Sequence, residues 1–379
     1  MSLEQLLIHE FKLSEDIIHM NHAAVGPWPT RTRQAVEKFA EENATLGSKN
    51  YLAWVDHETE LRDMLASLIN APSKDDIALL KSTSEALSVV AHGLNWQAGN
   101  NVVISDQEFP SNRIVWESLS RYGVMVKQID LQSAEMPEQA LIDACDNNTR
   151  LLAISSVQFA SGLRMDLQKL GQHCSENNIL FCVDAIQSIG AVQFDVQQCH
   201  ADFVMADGHK WMLGPEGLAL FYCRADLREQ LQLHQYGWHM VEHAHDFSRT
   251  DWQPAHNAKR FECGSPNMLG SHALRASISL LLEVGMDNVA QRLLKNTEYL
   301  ATQINQQSKL DIVSTMEPGR YAGIVTFRHQ DVDTETLYQY LMQQGVICAP
   351  RGGGVRFSPH FYTSEADIER AVHLAACCS

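Results

Sequence analysis

The sequence predicts an α/β protein: a mostly parallel seven-stranded sheet between layers of helices, followed by a small α+β domain at the carboxyl end. Three observations carry that prediction. Seven short runs rich in Val, Ile, Leu and Phe recur between residues 76 and 223, each followed by a polar turn and commonly by a helical pattern. The runs are continuously apolar rather than alternating, which suits strands covered on both faces. Beyond residue 300 the order changes to strand, helix, two strands and helix, the pattern of a compact α+β unit.

The seven runs are residues 76–80, 101–105, 124–130, 151–156, 179–184, 202–206 and 218–223. In such sheets ligands sit beyond the carboxyl ends of the strands. A helical pattern over 264–307 links this core to the tail. There, 322–327 reads as a strand, 334–344 as a helix capped by Asp333 and stopped by Gly345, 346–350 and 355–358 as strands, and 364–376 as a helix. The expected division is a large domain over 21–263 and a second unit formed by 1–20 and 264–379.

At 379 residues the chain exceeds one small core, so two domains with a cleft between them are affordable. The formal net charge of -17 repels phosphate backbones and anionic membrane surfaces, which argues against nucleic acid or membrane as partner. No run approaches the ~18 apolar residues of a membrane span, and acids stand where a signal peptide carries basic residues. A cytoplasmic location is the expectation. The nine cysteines show no CxxC spacing and read as reduced thiols.

Three stretches carry chemistry. Ser82-Thr83-Ser84-Glu85 follows the first run and opens a helical pattern. Ser82 and Glu85 form a capping box, and the same hydroxyl-rich helix start can hold a phosphate. Asp184 ends the fifth run, where a buried carboxylate is costly without a partner. It either caps the next turn or meets a cation such as a protonated ring nitrogen. Lys210 lies 26 positions further on, in ADGHKWMLGPEG between the sixth and seventh runs. A lone loop lysine is ordinarily solvated. A buried one can supply the neutral amine of a Schiff base. Phosphate cradle, strand-end acid and amine, in this order on an α/β core, are the parts that pyridoxal phosphate requires.

With Met20-Asn21-His22-Ala23-Ala24-Val25-Gly26-Pro27, Asp184-x-x-Gln187, Gly208-His209-Lys210, Phe261-Glu262-Cys263-Gly264-Ser265-Pro266-Asn267 and Val355-Arg356-Phe357-Ser358, the chain resembles the class V aminotransferases over nearly its whole length. These are fold-type I pyridoxal-phosphate enzymes, among them cysteine desulfurases, kynureninase and isopenicillin N epimerase. The resemblance implies that Lys210 forms the Schiff base and shuttles the proton, that Asp184 pairs with the pyridine nitrogen, and that Gln187 bonds the ring hydroxyl. It implies that Thr83, Ser84 and His209 hold the phosphate, that Phe109 stacks on the ring, and that Ser265 reaches the phosphate of a neighbouring subunit. A homodimer with shared active sites follows. Arg356 matches the arginine that takes the substrate carboxylate, with Asn21 and His22 on the substrate side.

Two departures stand out. Asp207 falls where many desulfurases have serine, and a carboxylate beside a phosphate would repel it, so Asp207 is expected to point away or to meet a cation. The desulfurase cysteine loop is missing, because Arg351-Gly352-Gly353-Gly354-Val355-Arg356 is short and holds no thiol. Cys348, inside an apolar run, reads as a buried thiol.

His239, His243 and His245 have metal-like spacing, but no second ligand cluster accompanies them, so no metal is expected. Their loop reads instead as cleft wall, with Tyr236 and Trp238. The expected function is a pyridoxal-phosphate enzyme acting on an amino acid or small amine, aminotransferase-like first, with epimerase or carbon–sulfur lyase/cysteine desulfurase-like activity second. A non-catalytic pyridoxal-phosphate-binding protein or a histidine-site metalloprotein is the alternative from another class.

Overall fold

A computed structural model describes residues 2–379. Each of the seven runs forms a strand: β1 (Ile77–Leu80), β2 (Asn101–Ser105), β3 (Met125–Ile129), β4 (Thr149–Ser155), β5 (Leu180–Asp184), β6 (Phe203–Asp207) and β7 (Ala219–Cys223). They make one sheet in the order β1-β7-β6-β5-β4-β2-β3. β7 is antiparallel to β1 and β6, while every other neighbouring pair is parallel. Six carboxyl ends therefore share one edge, where turns rich in polar residues meet.

Alternate residues of the inner strands enter two different cores. Val183 and Val204 pack on one side with Leu61, Leu65 and Leu274, and Cys182 and Phe203 on the other with Leu87 and Trp116. This two-sided burial is why the runs carry no polar alternation. Two helices that the run pattern does not reveal, Thr30–Leu46 and Tyr51–Leu68, pack against Met268–Val284. The linking helical pattern is two helices, Met268–Val284 and Met286–Asn305, broken at Gly285, whose φ of +81° lies in the region that favours glycine.

A second, antiparallel sheet follows, made of β8 (Leu310–Ile312), β9 (Val325–His329), β10 (Ala349–Arg351) and β11 (Gly354–Phe357) in the order β10-β11-β9-β8. It has its own buried cluster, including Leu300, Phe327, Leu341, Phe357 and Ile368. Asp333 caps the helix Thr334–Gln343, as the sequence suggests, and Ser364, expected as the first residue of the last helix, is instead its cap. The strand expected at 346–350 is divided: Val346–Ile347 pairs in parallel with Ile18–His19, and β10 starts after Cys348. The strand expected at 322 starts at 325, because Ala322 and Ile324 are spent on the core beneath the large sheet. Among the described residues no helix is long and apolar enough to cross a membrane.

The two sheets meet over the carboxyl edge of the first. Thr326 donates its hydroxyl to the Ala160 carbonyl at 2.7 Å, and Arg356 donates from Nη1 to the Phe159 carbonyl at 2.6 Å. The cleft under this seam, about 300 Å3, is the candidate site.

Candidate active site

The cleft gathers Thr83 and Ser84 from the turn after β1, Phe109 from the turn after β2, Asp184 and Gln187 at β5, and His209 and Lys210 after β6. Arg351 and Arg356 enter from the second sheet. Thr83 and Lys210, 127 positions apart, meet because parallel strands deliver their following turns to one edge, and the second sheet brings in Arg356.

Lys210 is partly buried, with its Nζ 5.7 Å from the centre of the Phe109 ring. Burial lowers its pKa to about 8 against the pull of the Asp184 carboxylate, and Arg356 and Arg351 push the same way as burial. Its backbone is clamped. The Gly26 N–H bonds the His209 carbonyl at 2.7 Å, Ser277 donates to the Leu213 carbonyl at 2.7 Å, and Trp28 donates to the Gly214 carbonyl at 3.0 Å. A Cβ at Gly26 would stand 2.5 Å from the Lys210 carbonyl oxygen, and one at Gly190 would stand 2.4 Å from that of Trp211. Both positions need glycine for close approach.

Asp184 is 2% exposed and accepts the Ile186 N–H at 3.1 Å. Burial raises its pKa to about 7, the Ile186 hydrogen bond opposes that, and the carboxylates of Glu108 and Asp207 add to it. Such a carboxyl group gains most from a cationic partner in the cleft. Gln187 is oriented by its neighbours: Trp211 Nε1 donates to its Oε1 at 2.8 Å, and its Nε2 donates to the Ala23 carbonyl at 3.0 Å. The oxygen is thus engaged by the indole, and the second amide hydrogen remains for the cleft. Trp211, fully buried beside Lys210, carries no signal in the sequence beyond that of a loop aromatic.

Asp207 is neither turned away nor paired with a full cation. It accepts the Thr83 N–H at 3.0 Å, and its own N–H donates to Thr83 Oγ1 at 3.1 Å. This reciprocal pair ties the end of β6 to the amino terminus of the helix Thr83–Gly93. The nearest imidazole nitrogen, His209 Nδ1, lies 3.9 Å from Asp207 and is buried without a hydrogen-bond partner among the described residues. Burial lowers the His209 pKa, with Asp207 opposing. The expected capping box is half formed: Ser82 accepts from Glu85 N–H, but Glu85 takes the Lys81 N–H rather than that of Ser82.

Phe109 is 41% exposed and meets Phe159 edge-on at 5.2 Å. Its neighbour Glu108 is buried and accepts from Ser105, Asn112, Ser155 and Gln158, which fixes the turn that carries the ring. Arg356 is 2% exposed and makes no ion pair among the described residues. Its Nη2 lies 3.4 Å from Asn21 Oδ1, and its Nε has no partner among them. Burial lowers its pKa to about 9, which leaves it charged at neutral pH.

The structure does not bring every candidate to the cleft. His22 is fully buried behind it, with Nδ1 2.9 Å from the Ser358 carbonyl and Nε2 2.7 Å from the Tyr362 hydroxyl, so both ring nitrogens are already engaged. Asn21 reaches the cleft only through Arg356. Ser265 lines a different surface depression, with Gly264, Pro266 and Leu80. Tyr236 and Trp238 do not line this cleft; they line a separate depression with Glu242, His243 and Phe247. Of the histidine run, His239 is buried 3.9 Å from Glu262, whereas His243 and His245 are exposed. Among the described residues no cysteine lines the cleft, and burial pushes the Cys348 thiol up to about 12.

A buried strand-end carboxyl group, a mostly buried amine and an orphaned imidazole nitrogen are the groups that pyridoxal phosphate needs. The chain belongs to the aminotransferase class-V family, whose model matches residues 19–371. It is 29% identical to a probable cysteine desulfurase of Methanothermobacter thermautotrophicus, over 95% of this chain and 94% of the relative. It is also 29% identical to the uncharacterized aminotransferase YcbU of Bacillus subtilis, over 82% of this chain and 81% of that one. The cysteine desulfurase of Thermococcus onnurineus superposes with a TM-score of 0.87 at 22% identity, covering 98% of this chain and 97% of the other. The cystine C-S lyase C-DES, solved with cysteine persulfide, superposes with a TM-score of 0.86 at 21% identity, covering 96% and 98%. The family's cofactor is pyridoxal 5'-phosphate, and the donor set of this cleft fits it.

Proposed function

We propose that this protein is a pyridoxal-phosphate enzyme acting on an α-amino acid, with Lys210 as covalent anchor and proton carrier and Arg356 as receptor for the substrate carboxylate. The observation that carries the reading is Arg356: a buried guanidinium without a carboxylate partner among the described residues, facing the same cleft as a buried amine. When bound, pyridoxal phosphate supplies an electron sink for the pair released as a bond at the substrate α carbon breaks.

The chain's own groups divide the remaining work. Thr83, Ser84 and His209 would hold the phosphate, and Gln187 would donate to the ring hydroxyl oxygen. Asp184 would keep the ring nitrogen protonated, and Phe109 would lie against the ring. Lys210, the only lysine of the cleft among the described residues, would take the proton from the α carbon and carry it to the cofactor side of the cleft. Transfer of the amino group is the outcome we assign, because it asks for one proton carrier and no sulfur acceptor.

The names of the relatives support a second reading, cleavage of a carbon–sulfur bond. With no thiol among the described residues of the cleft, sulfur would leave on a small molecule. We take residues 21–263 as the cofactor domain and 1–20 with 264–379 as the second; the separate buried cluster of Ile18, Met20 and residues from Leu300 onward supports a second unit, while Met268–Val284 packs on the core of the large sheet. A homodimer in which Ser265 completes the neighbour's phosphate site is part of the proposal, supported by the placement of Ser265 away from its own cleft.

The test is a spectral screen of amino acids with product identification. A 2-oxo acid formed with retention of the amino group on the enzyme supports transamination; pyruvate with a sulfur product supports the lyase. A protein that cannot be loaded with the cofactor overturns both. Asp184→Asn should keep the fold and the Ile186 hydrogen bond, yet turn over about a hundredfold more slowly, since an amide does not stabilise a cationic ring nitrogen. Near-normal turnover of that variant would strip Asp184 of its role as partner of the ring nitrogen.

A further inference from the structure

Arg356 is not the only guanidinium in the cleft. Arg351 also lines it, at the end of β10, and pairs with the start of β11 through the antiparallel register Arg351↔Gly354. The two are close enough that each contributes to lowering the pKa of Lys210, and Arg351 lowers that of Arg356. Arg351 donates only to the carbonyl of its own neighbour Pro350, at 2.8 Å, and among the described residues it makes no ion pair. The cleft carboxylates are otherwise placed: Asp184 takes the Ile186 N–H, Asp207 takes the Thr83 N–H, and Glu216 stands on the loop after Lys210 with no bond to either arginine.

The hairpin that carries both arginines is held in position. Gly352 and Gly353 turn it in two residues, and a Cβ at Gly352 would lie 3.2 Å from the Ala160 carbonyl oxygen in the segment after β4. Arg328 Nε bonds the Gly353 carbonyl at 2.7 Å. The second guanidinium is thereby kept at the rim of the cleft, on the same hairpin as the first.

Resting on the proposed function, we infer that the substrate is an amino acid with a second anionic group on its side chain, a carboxylate or sulfinate, which Arg351 receives while Arg356 holds the α-carboxylate. A neutral side chain would leave two like charges facing one cleft with a single anion between them. A dianionic substrate matches both. Glu216 also lines the cleft, but it makes no bond to Arg351, so with Arg356 taken by the α-carboxylate the guanidinium of Arg351 still lacks an anion. Because Arg351 is exposed, its contribution is screened by salt, whereas that of the buried Arg356 is much less so.

The test is equilibrium titration of the holoenzyme, read as the change in the cofactor's absorption band, with L-aspartate and L-cysteine sulfinate against the near-isosteric L-asparagine. The acidic ligands should half-saturate the change at concentrations about tenfold lower than L-asparagine. In Arg351→Gln that ratio should fall to near one; in Arg351→Lys it should recover in part; and added salt should shrink it in the parent protein. If L-asparagine matches the acids, or if Arg351→Gln keeps the preference, the inference is wrong. If no amino acid of either kind changes the band, it is the proposed function that fails, and the inference with it.

Discussion

Lys210→Ala is expected to lose the absorption band of the covalently held cofactor and to slow turnover by about 10^3-fold or more. The side chain is asked for two things at once, an amine that anchors the cofactor and a base at the α carbon, and general acid–base catalysis alone is worth about 10^2- to 10^4-fold. The loop itself should survive, since its bonds run from backbone to backbone or from side chains outside the lysine. The amine carries a pH signature. Depressed to about 8, it is protonated below that pH and neutral above it, and only the neutral form attacks an aldehyde. Capture of the cofactor by the apoprotein should therefore quicken as pH rises through about 8 and then level. A stopped-flow absorbance series settles the point, and a rate flat from pH 7 to 9 would remove the buried-amine argument.

Arg356→Gln should raise the KM for an α-amino acid about 10^2- to 10^3-fold, the scale of truncating one partner of a buried charge pair. Stability should move differently. The guanidinium is buried with one carbonyl at 2.6 Å, one long contact to Asn21 and an unpartnered Nε among the described residues, so in the free protein its charge is poorly compensated. The variant is expected to unfold at the same temperature as the parent or higher, measured by calorimetry without substrate. A variant that both unfolds at a markedly lower temperature and keeps its KM would mark Arg356 as a strut between the two sheets rather than a receptor.

The strands are legible because burial on two faces writes itself as an unbroken apolar run, and the strand ends are legible because an acid or a hydroxyl cluster interrupts that run abruptly. Asp184, Thr83 and Lys210 can therefore be found as a set. Their partners cannot. The indole of Trp211 fixes the Gln187 amide, and the Asp207 carboxylate grips the Thr83 amide; both depend on distances between segments that a linear pattern does not encode. Asp207 departs from expectation for that reason: the helix start at Thr83 is visible in sequence, but that its N–H is taken by a carboxylate 124 positions away is not. The motif around His22 places it on the substrate side, yet the Ser358 carbonyl and Tyr362 hydroxyl, 336 and 340 positions away, take both its nitrogens. The helices Thr30–Leu46 and Tyr51–Leu68 escape because they lie before the first strand, outside the repeat that organises the rest.

Gly26 and Gly190 have no functional group to offer, yet the carbonyl oxygens of Lys210 and Trp211 lie 2.5 and 2.4 Å from where their β carbons would be. A methyl group at either position would have to push the backbone that carries the lysine aside. Mutational tolerance in this chain will therefore not follow chemical reactivity: positions that do nothing in the reaction will be as unforgiving as those that perform it, and a survey of inactive variants would outline the lysine from behind, by the places where the chain has no room for a side chain.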